Sequence, residues 1–216
     1  MGIALVFAGG ERSPPSVLDG LLPSDLVIAA DSGLEHALAL VSQIDLVVGD
    51  LDSATLADLE RAAAMGAAIE RHPVAKDATD LELAIGAARA RGIERVVVIG
   101  GYGGRLDHFL ANALVLTAPA FAGMRVEARI GEADLTVVRD SAMLHGHVGE
   151  LCSLLPVGGP ARAVRTEGLR FPLVDEDLHT GSTRGVSNEF LAQVARVSLS
   201  DGVLLAIVPQ ARKAGT

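Results

Sequence analysis

Tryptophan is absent from this 216-residue chain, tyrosine occurs once and phenylalanine five times, so aromatic side chains make up only 3% of it. A general nucleic-acid binder needs stacking platforms and a basic field. This chain offers neither, because 18 Lys and Arg stand against 27 Asp and Glu, a formal charge of −9. The single cysteine, Cys152, excludes an internal disulfide and fits a reducing cytosol. Long hydrophobic runs are missing too. The longest weakly polar stretch, Leu110 to Met124, is broken by Asn112 and Pro119 and falls short of the roughly 20 residues of a membrane helix. Arg12, the first basic residue, follows the apolar stretch Ile3 to Ala8, which reverses the order of a secretory leader. Half of the residues are apolar, and a chain of this length buries roughly 70% of its unfolded surface, enough for one good core or two small ones. An acidic soluble globule is expected, one that binds phosphates only if its acids hold a cation.

Short β-branched runs alternate with helical spacing up to Ile130. Ile3–Phe7, Leu26–Ile28, Leu46–Val48, Ala67–Ile69, Val96–Ile99 and Val126–Ile130 read as strands, and their near-continuous apolar character predicts a buried parallel sheet. Between them, Leu81, Ala84, Ile85 and Ala88 mark one helical stripe, and Leu106, Phe109, Leu110, Ala113 and Leu114 another, each expected to cover the sheet. Ser32-x-x-Glu35 and Thr79-x-x-Glu82 predict capping boxes at two helix starts. Past about Ala133 turn residues recur every eight to twelve positions and helical periodicity stops. The expected fold is therefore a Rossmann-like α/β domain over residues 1–133 followed by an all-β sandwich over residues 134–216. Asp201-Gly202, between Val197–Leu199 and Val203–Ile207, predicts a hairpin.

In an open parallel sheet, ligands bind beyond the carboxyl ends of the strands. The segments there are polar: Gly9-Gly10, Asp31-Ser32-Gly33, Gly49-Asp50-Leu51-Asp52-Ser53, Lys76-Asp77-Ala78-Thr79-Asp80 and Gly100 through His108. Taken singly, an Asp or Ser there is an ordinary helix cap and a glycine is loop punctuation. Convergence changes this, because Asp31, Asp50, Asp52, Asp77, Asp80 and Asp107 all fall on one edge. Two unit charges about 4 Å apart repel by roughly 4 kcal/mol at an effective dielectric of 20. A hard, oxygen-only set relieves that repulsion by binding Mg²⁺, which also bridges phosphates. Lys76 and Arg105 add positive charge, and His108 shares a helical stripe with Arg105 and Asn112 that faces a ligand if the apolar stripe faces the core. A metal-dependent nucleotide hydrolase or a pyrophosphokinase for some primary alcohol, such as a hydroxymethylpterin, stays compatible with these acids.

Five ordered motifs resemble the thiamine pyrophosphokinase family over nearly the whole chain. They are Ala30-Asp31-Ser32-Gly33, Gly49-Asp50-Leu51-Asp52-Ser53, Lys76-Asp77-Ala78-Thr79-Asp80-Leu81-Glu82, Gly103-Gly104-Arg105-Leu106-Asp107-His108-x-x-x-Asn112, and Gly168 to Leu173 with Gly185-Val186-Ser187-Asn188-Glu189. The resemblance implies transfer of pyrophosphate from ATP to the hydroxyethyl group of thiamine, giving thiamine diphosphate and AMP. It further implies a cytoplasmic homodimer with active sites at the subunit interface, and Mg²⁺ held by Asp50, Asp52 and Asp80. Asp31, Lys76, Asp77, Thr79, Arg105 and Asp107, with Gly10, Gly104, His108 and Asn112, are then the nucleotide and phosphate site, and Ser187 and Asn188 contact thiamine. Leu51 stands where the family commonly has Phe.

Overall fold

In the computed structural model, which describes residues 2–75 and 77–209, contacts divide the chain into a unit over residues 1–131 and a second unit beginning at Glu132. The first unit holds six strands, β1 (Ile3–Phe7), β2 (Leu26–Ala30), β3 (Leu46–Gly49), β4 (Ala68–Arg71), β5 (Arg95–Ile99) and β6 (Arg125–Ile130). Every neighbouring pair is parallel, in the order β6-β5-β1-β2-β3-β4. The strand ends lie within two residues of those read from the sequence. Continuous Val, Ile and Ala runs suit β1, β2, β3 and β5 because such strands are covered on both faces. At the edge, β4 is exposed along its length and carries Glu70 and Arg71, charges that discourage further strand pairing.

Four helices follow β2, β3, β4 and β5 in turn: α1 (Gly33–Leu40), α2 (Leu56–Ala64), α3 (Asp80–Ala90) and α4 (Leu106–Val115). From β1 the chain winds outward through β2, β3 and β4, then returns to β5 beside β1 and continues to β6. The winding thus reverses between β1 and β5, the switch point at which open α/β sheets leave a crevice.

The helices correct two expectations. Leu81, Ala84, Ile85 and Ala88 of α3 are buried as their spacing predicts, but on α4 Leu106, Leu110 and Leu114 are 70, 51 and 55% exposed, and Ala113 takes the inner position. An apolar stripe announces that a face will be covered without saying by what. At α1 the capping box does not form: Ser32 is already helical in backbone and makes no side-chain cap, and Glu35 pairs with Arg12 instead. At α3 the cap is real, with the Thr79 hydroxyl accepting from the Glu82 amide at 3.2 Å.

The second unit is an antiparallel sandwich. Its strands are β7 (Ala133–Val138), β8 (Ser141–His145), β9 (Leu151–Pro156), β10 (Ala161–Glu167), β11 (Glu176–Leu178), β12 (Asn188–Glu189), β13 (Val194–Ser198) and β14 (Leu204–Val208). One layer runs β12-β9-β14-β7 and the other β11-β10-β13-β8. Inward-facing residues of both, among them Leu154, Val164, Phe190, Val197 and Leu204, form one core. Cys152 is part of it, and burial pushes its thiol up to about 12. The Asp201-Gly202 turn is present with Gly202 at φ +93, yet it is no hairpin, because β13 pairs with β10 and β8 while β14 pairs with β7 and β9. The same turn chemistry serves a crossing between layers, and alternation along two strands does not reveal which layer each will join.

Candidate active site

Two glycine loops meet at the switch point. The segment after β1 is joined to the one after β5 by the Gly101 amide donating to the Gly9 oxygen at 2.8 Å and the Glu11 amide donating to the Tyr102 oxygen at 2.6 Å. Gly10, at φ +125, would put a side-chain carbon 2.1 Å from that Tyr102 oxygen, so only glycine permits the approach. Tyr102 packs edge-on against Phe109 with ring centres 5.6 Å apart, which ties the second loop to α4.

Between these loops and the start of α3 lies a cleft of about 440 Å³. Of the residues singled out in the sequence, Gly10, Asp31, Thr79, Asp80, Arg105, His108 and Asn112 line it. Gly9, Ser32, Gly101, Gly103 and Phe109 line it as well, all of them within or beside the motifs. Gly104 and Asp77 are exposed and outside the lining, and Lys76 falls outside the described residues. Asn112 donates to the Gly101 oxygen at 3.3 Å and so braces the second loop from α4.

Asp31, Asp50 and Asp52 each bring a carboxylate oxygen within 4.8 Å of the others'. The loops that do this are locally unusual. Asp31 and Leu51 adopt φ +44 and φ +62, a region costly for residues with side chains. Leu51 is held there because its side chain is 4% exposed inside the core cluster, and with Leu51 anchored inward both flanking acids remain at the surface. Asp80 borders the group: a side-chain carbon on Gly49 would lie 3.0 Å from both the Asp80 Oδ1 and the Asp31 Cβ. The charge of Asp50, a hydrogen bond with it, and then the charges of Asp31 and Asp80 push the Asp52 carboxyl above its ordinary range. Asp31 accepts from the Ser53 hydroxyl at 2.5 Å through Oδ2, while its Oδ1 is buried without a partner among the described residues. A repelling set of hard oxygens with an unused buried acceptor is what a divalent cation satisfies.

Arg105 and Asp107 form a pair, Nε to Oδ1 at 3.2 Å and Nη2 to Oδ2 at 2.5 Å. Hydrogen bonding from Arg105 lowers the Asp107 carboxyl to about 2. The pair holds the guanidinium in one orientation.

In the second unit Ser187 is exposed at φ +58 and its amide donates to Ser153 Oγ at 3.1 Å. Asn188 is 5% exposed, and its carboxamide is spent on the backbone: Oδ1 accepts from the Phe171 amide at 2.9 Å and Nδ2 donates to the Phe171 oxygen at 2.7 Å. Its side chain clips the backbone at Phe171, a structural use that the sequence motif alone does not distinguish from ligand binding. Phe171, held by that clip, is half-exposed with the Arg170 guanidinium 5.7 Å from its ring centre.

Comparison with known proteins agrees with this fold. Residues 21–128 match the family model for the thiamin pyrophosphokinase catalytic domain, and residues 140–204 the model for the thiamin pyrophosphokinase vitamin B1 binding domain. A Bacillus subtilis (strain 168) protein named thiamine pyrophosphokinase is 26% identical over 94% of this chain and 96% of its own length. The crystal structure of thiamine pyrophosphokinase from Bacillus subtilis superposes with a TM-score of 0.82 at 26% identity, covering 96% of this chain and 98% of that one. The thiamin pyrophosphokinase of Candida albicans, at 14% identity, shares the fold with a TM-score of 0.79 over 95% of this chain and 88% of its own.

Proposed function

The chain belongs to the thiamin pyrophosphokinase family, and from that premise we propose how its own residues transfer pyrophosphate from ATP to thiamine to give thiamine diphosphate and AMP. The observation that carries the assignment of the site is the meeting of the acidic cluster with the glycine-lined cleft at the switch point between β1 and β5.

ATP lies in the cleft with its phosphates against the Gly9–Gly10 and Gly101–Gly103 loops, where backbone amides approach closely. Arg105, aimed by Asp107, faces the phosphate oxygens, with Lys76 as a second cation; Asp77 and Gly104 belong to the loops around it. Thr79, His108 and Asn112 fix the nucleotide from the α3 and α4 side. Asp50, Asp52 and Asp80 hold Mg²⁺, with Asp31 beside them; the buried, unpartnered Oδ1 of Asp31 and the raised Asp52 carboxyl support a cation at this point. Bound there, the metal neutralises phosphate charge as a Lewis acid. Asp107 is paired with Arg105, whereas Asp31 lines the cleft and would accept the proton of thiamine's hydroxyl as that oxygen attacks the β-phosphorus and AMP leaves. The vitamin is met by the exposed Ser187 hydroxyl and the half-exposed Phe171 ring, with Asn188 acting behind Phe171.

The working form is a homodimer, supported by the three exposed leucines of α4, whose partner is a second copy, and the active site is shared between copies. A cytoplasmic location is consistent with the fact that no helix among the described residues is long and apolar enough to cross a membrane. The test is product analysis: with purified protein, ATP, Mg²⁺ and thiamine, AMP and thiamine diphosphate form one to one. Stoichiometric ADP, or nucleotide consumption without any acceptor, overturns the reading.

A further inference from the structure

His36 is a buried titratable side chain that the chemistry above does not use. It sits on α1, 5% exposed, and its Nε2 lies 3.0 Å from the carbonyl oxygen of Gly10. A carbonyl only accepts, so Nε2 is the donor in this contact. Nδ1 is buried with no hydrogen-bond partner among the described residues, so the imidazole makes this one polar contact. Its seat is close-fitting: a side-chain carbon on Gly100, which is at φ +91, would stand 3.3 Å from Nδ1.

That contact completes a pattern in the first glycine loop. The Gly9 carbonyl is taken by the Gly101 amide, the Gly10 carbonyl by His36, and the Glu11 amide by the Tyr102 carbonyl. The amides of Gly9 and Gly10 donate to no acceptor among the described residues, and both residues line the cleft. A loop whose carbonyls are occupied on the protein side and whose amides are unused presents donors to an anion. A freely turning peptide would instead show phosphate oxygens a repelling carbonyl.

We propose that His36 is a positioning residue for the phosphates of the nucleotide: its Nε2–H pins the Gly10 carbonyl and thereby holds the Gly9 and Gly10 amides as an anion cradle. The proposal rests on reading the cleft as the ATP site. His36→Leu removes the donor, His36→Asn places a donor too short to reach, and His36→Gln rebuilds one at nearly the original reach. Loss of one buried hydrogen bond predicts an ATP KM raised roughly five- to tenfold in the Leu and Asn variants, with Gln within about twofold of the wild type. Thiamine KM and kcat stay within about twofold in all three, a split that loss of packing alone does not produce. Equal effects in Leu, Asn and Gln, or a lowered Tm with unchanged ATP KM, overturn the proposal and leave the ring as filling. Should the variants fail to fold, amide exchange of the wild-type protein decides: ATP added without thiamine protects Gly9 and Gly10. ATP binding that leaves those two amides unprotected overturns the role of His36 alone, whereas a protein that binds no ATP overturns the reading of the cleft along with it.

Discussion

Asp52 is a residue whose charge costs the fold and which, on the function proposed above, serves the reaction. Its carboxyl is pushed up chiefly by Asp50, so ionised Asp52 destabilises the metal-free protein wherever the pH lies above the carboxylate range. The sign follows from the direction of the shift: the fold binds that proton more tightly than the unfolded chain does, and stability is lost as pH rises through the window. Asp52→Asn should therefore leave the metal-free Tm at neutral pH equal to or above that of the wild type, with the gap closing at acid pH. The same substitution should lower turnover at least a hundredfold, since metal polarisation of a phosphoryl group is worth several kcal/mol. Thermal melts with and without Mg²⁺ separate the two effects, because the wild type gains Tm with the metal and the variant does not. Near-normal turnover at limiting Mg²⁺ would remove Asp52 from the ligand set. The crowding itself was legible, since four motifs place the acids on one sheet edge. His36 and Asn188 were not, because a lone His in an apolar helix and an Asn in a glycine-rich turn have the same spelling whether they touch a ligand or hold the backbone behind it.

At the scale of elements, strand runs in the first unit were readable because a parallel sheet buried on both faces needs unbroken β-branched stretches, and Ile3–Phe7 or Arg95–Ile99 allow little else. Caps were less so: Thr79 caps α3, but the equivalent spelling at Ser32 is overridden because the backbone of that loop is committed to turning Asp31 toward the cleft. For α4 the period was right and the partner wrong. Leu106, Leu110 and Leu114 recur every four residues on a face that the first unit leaves exposed, while Asn112 reaches inward to Gly101. An apolar side chain gains about 1.5–3 kcal/mol on full burial, so three leucines meeting their counterparts make a dimer worthwhile, and a carboxylate placed among them opposes it strongly. Leu110→Glu should shift the dimer to monomer, weakening association at least a hundredfold by sedimentation equilibrium, with unchanged helical circular dichroism. A variant that keeps the wild-type mass at all concentrations would move the interface elsewhere.

For the molecule as a whole, the sequence pattern separates an α/β unit from an all-β one, but it does not say which strands share a layer, as the crossing at Asp201-Gly202 shows. Nor does it say whether the phosphate half and the vitamin half of one active site come from one chain. The acids and the glycine cleft lie wholly in the first unit, and the exposed Ser187 and Phe171 in the second. A twofold dimer with shared sites pairs the first unit of one copy with the second of the other, twice over. Two inactive chains can then complement each other. Asp52→Asn spoils every phosphate half it contributes, and Phe171→Ala, which removes the ring while keeping the backbone that Asn188 holds, spoils every vitamin half. In a heterodimer of the two, one site combines both defects and the other combines two intact halves. Random reassortment of equal amounts yields half heterodimers, each with one working site in two, so activity should return to about a quarter of the wild-type level. Sites built within single chains give no such recovery, because every site in the mixture then carries one of the lesions. Unfolding and refolding the two variants together, against each refolded alone, is the measurement, and a mixture no more active than the mean of its parents rules the shared site out.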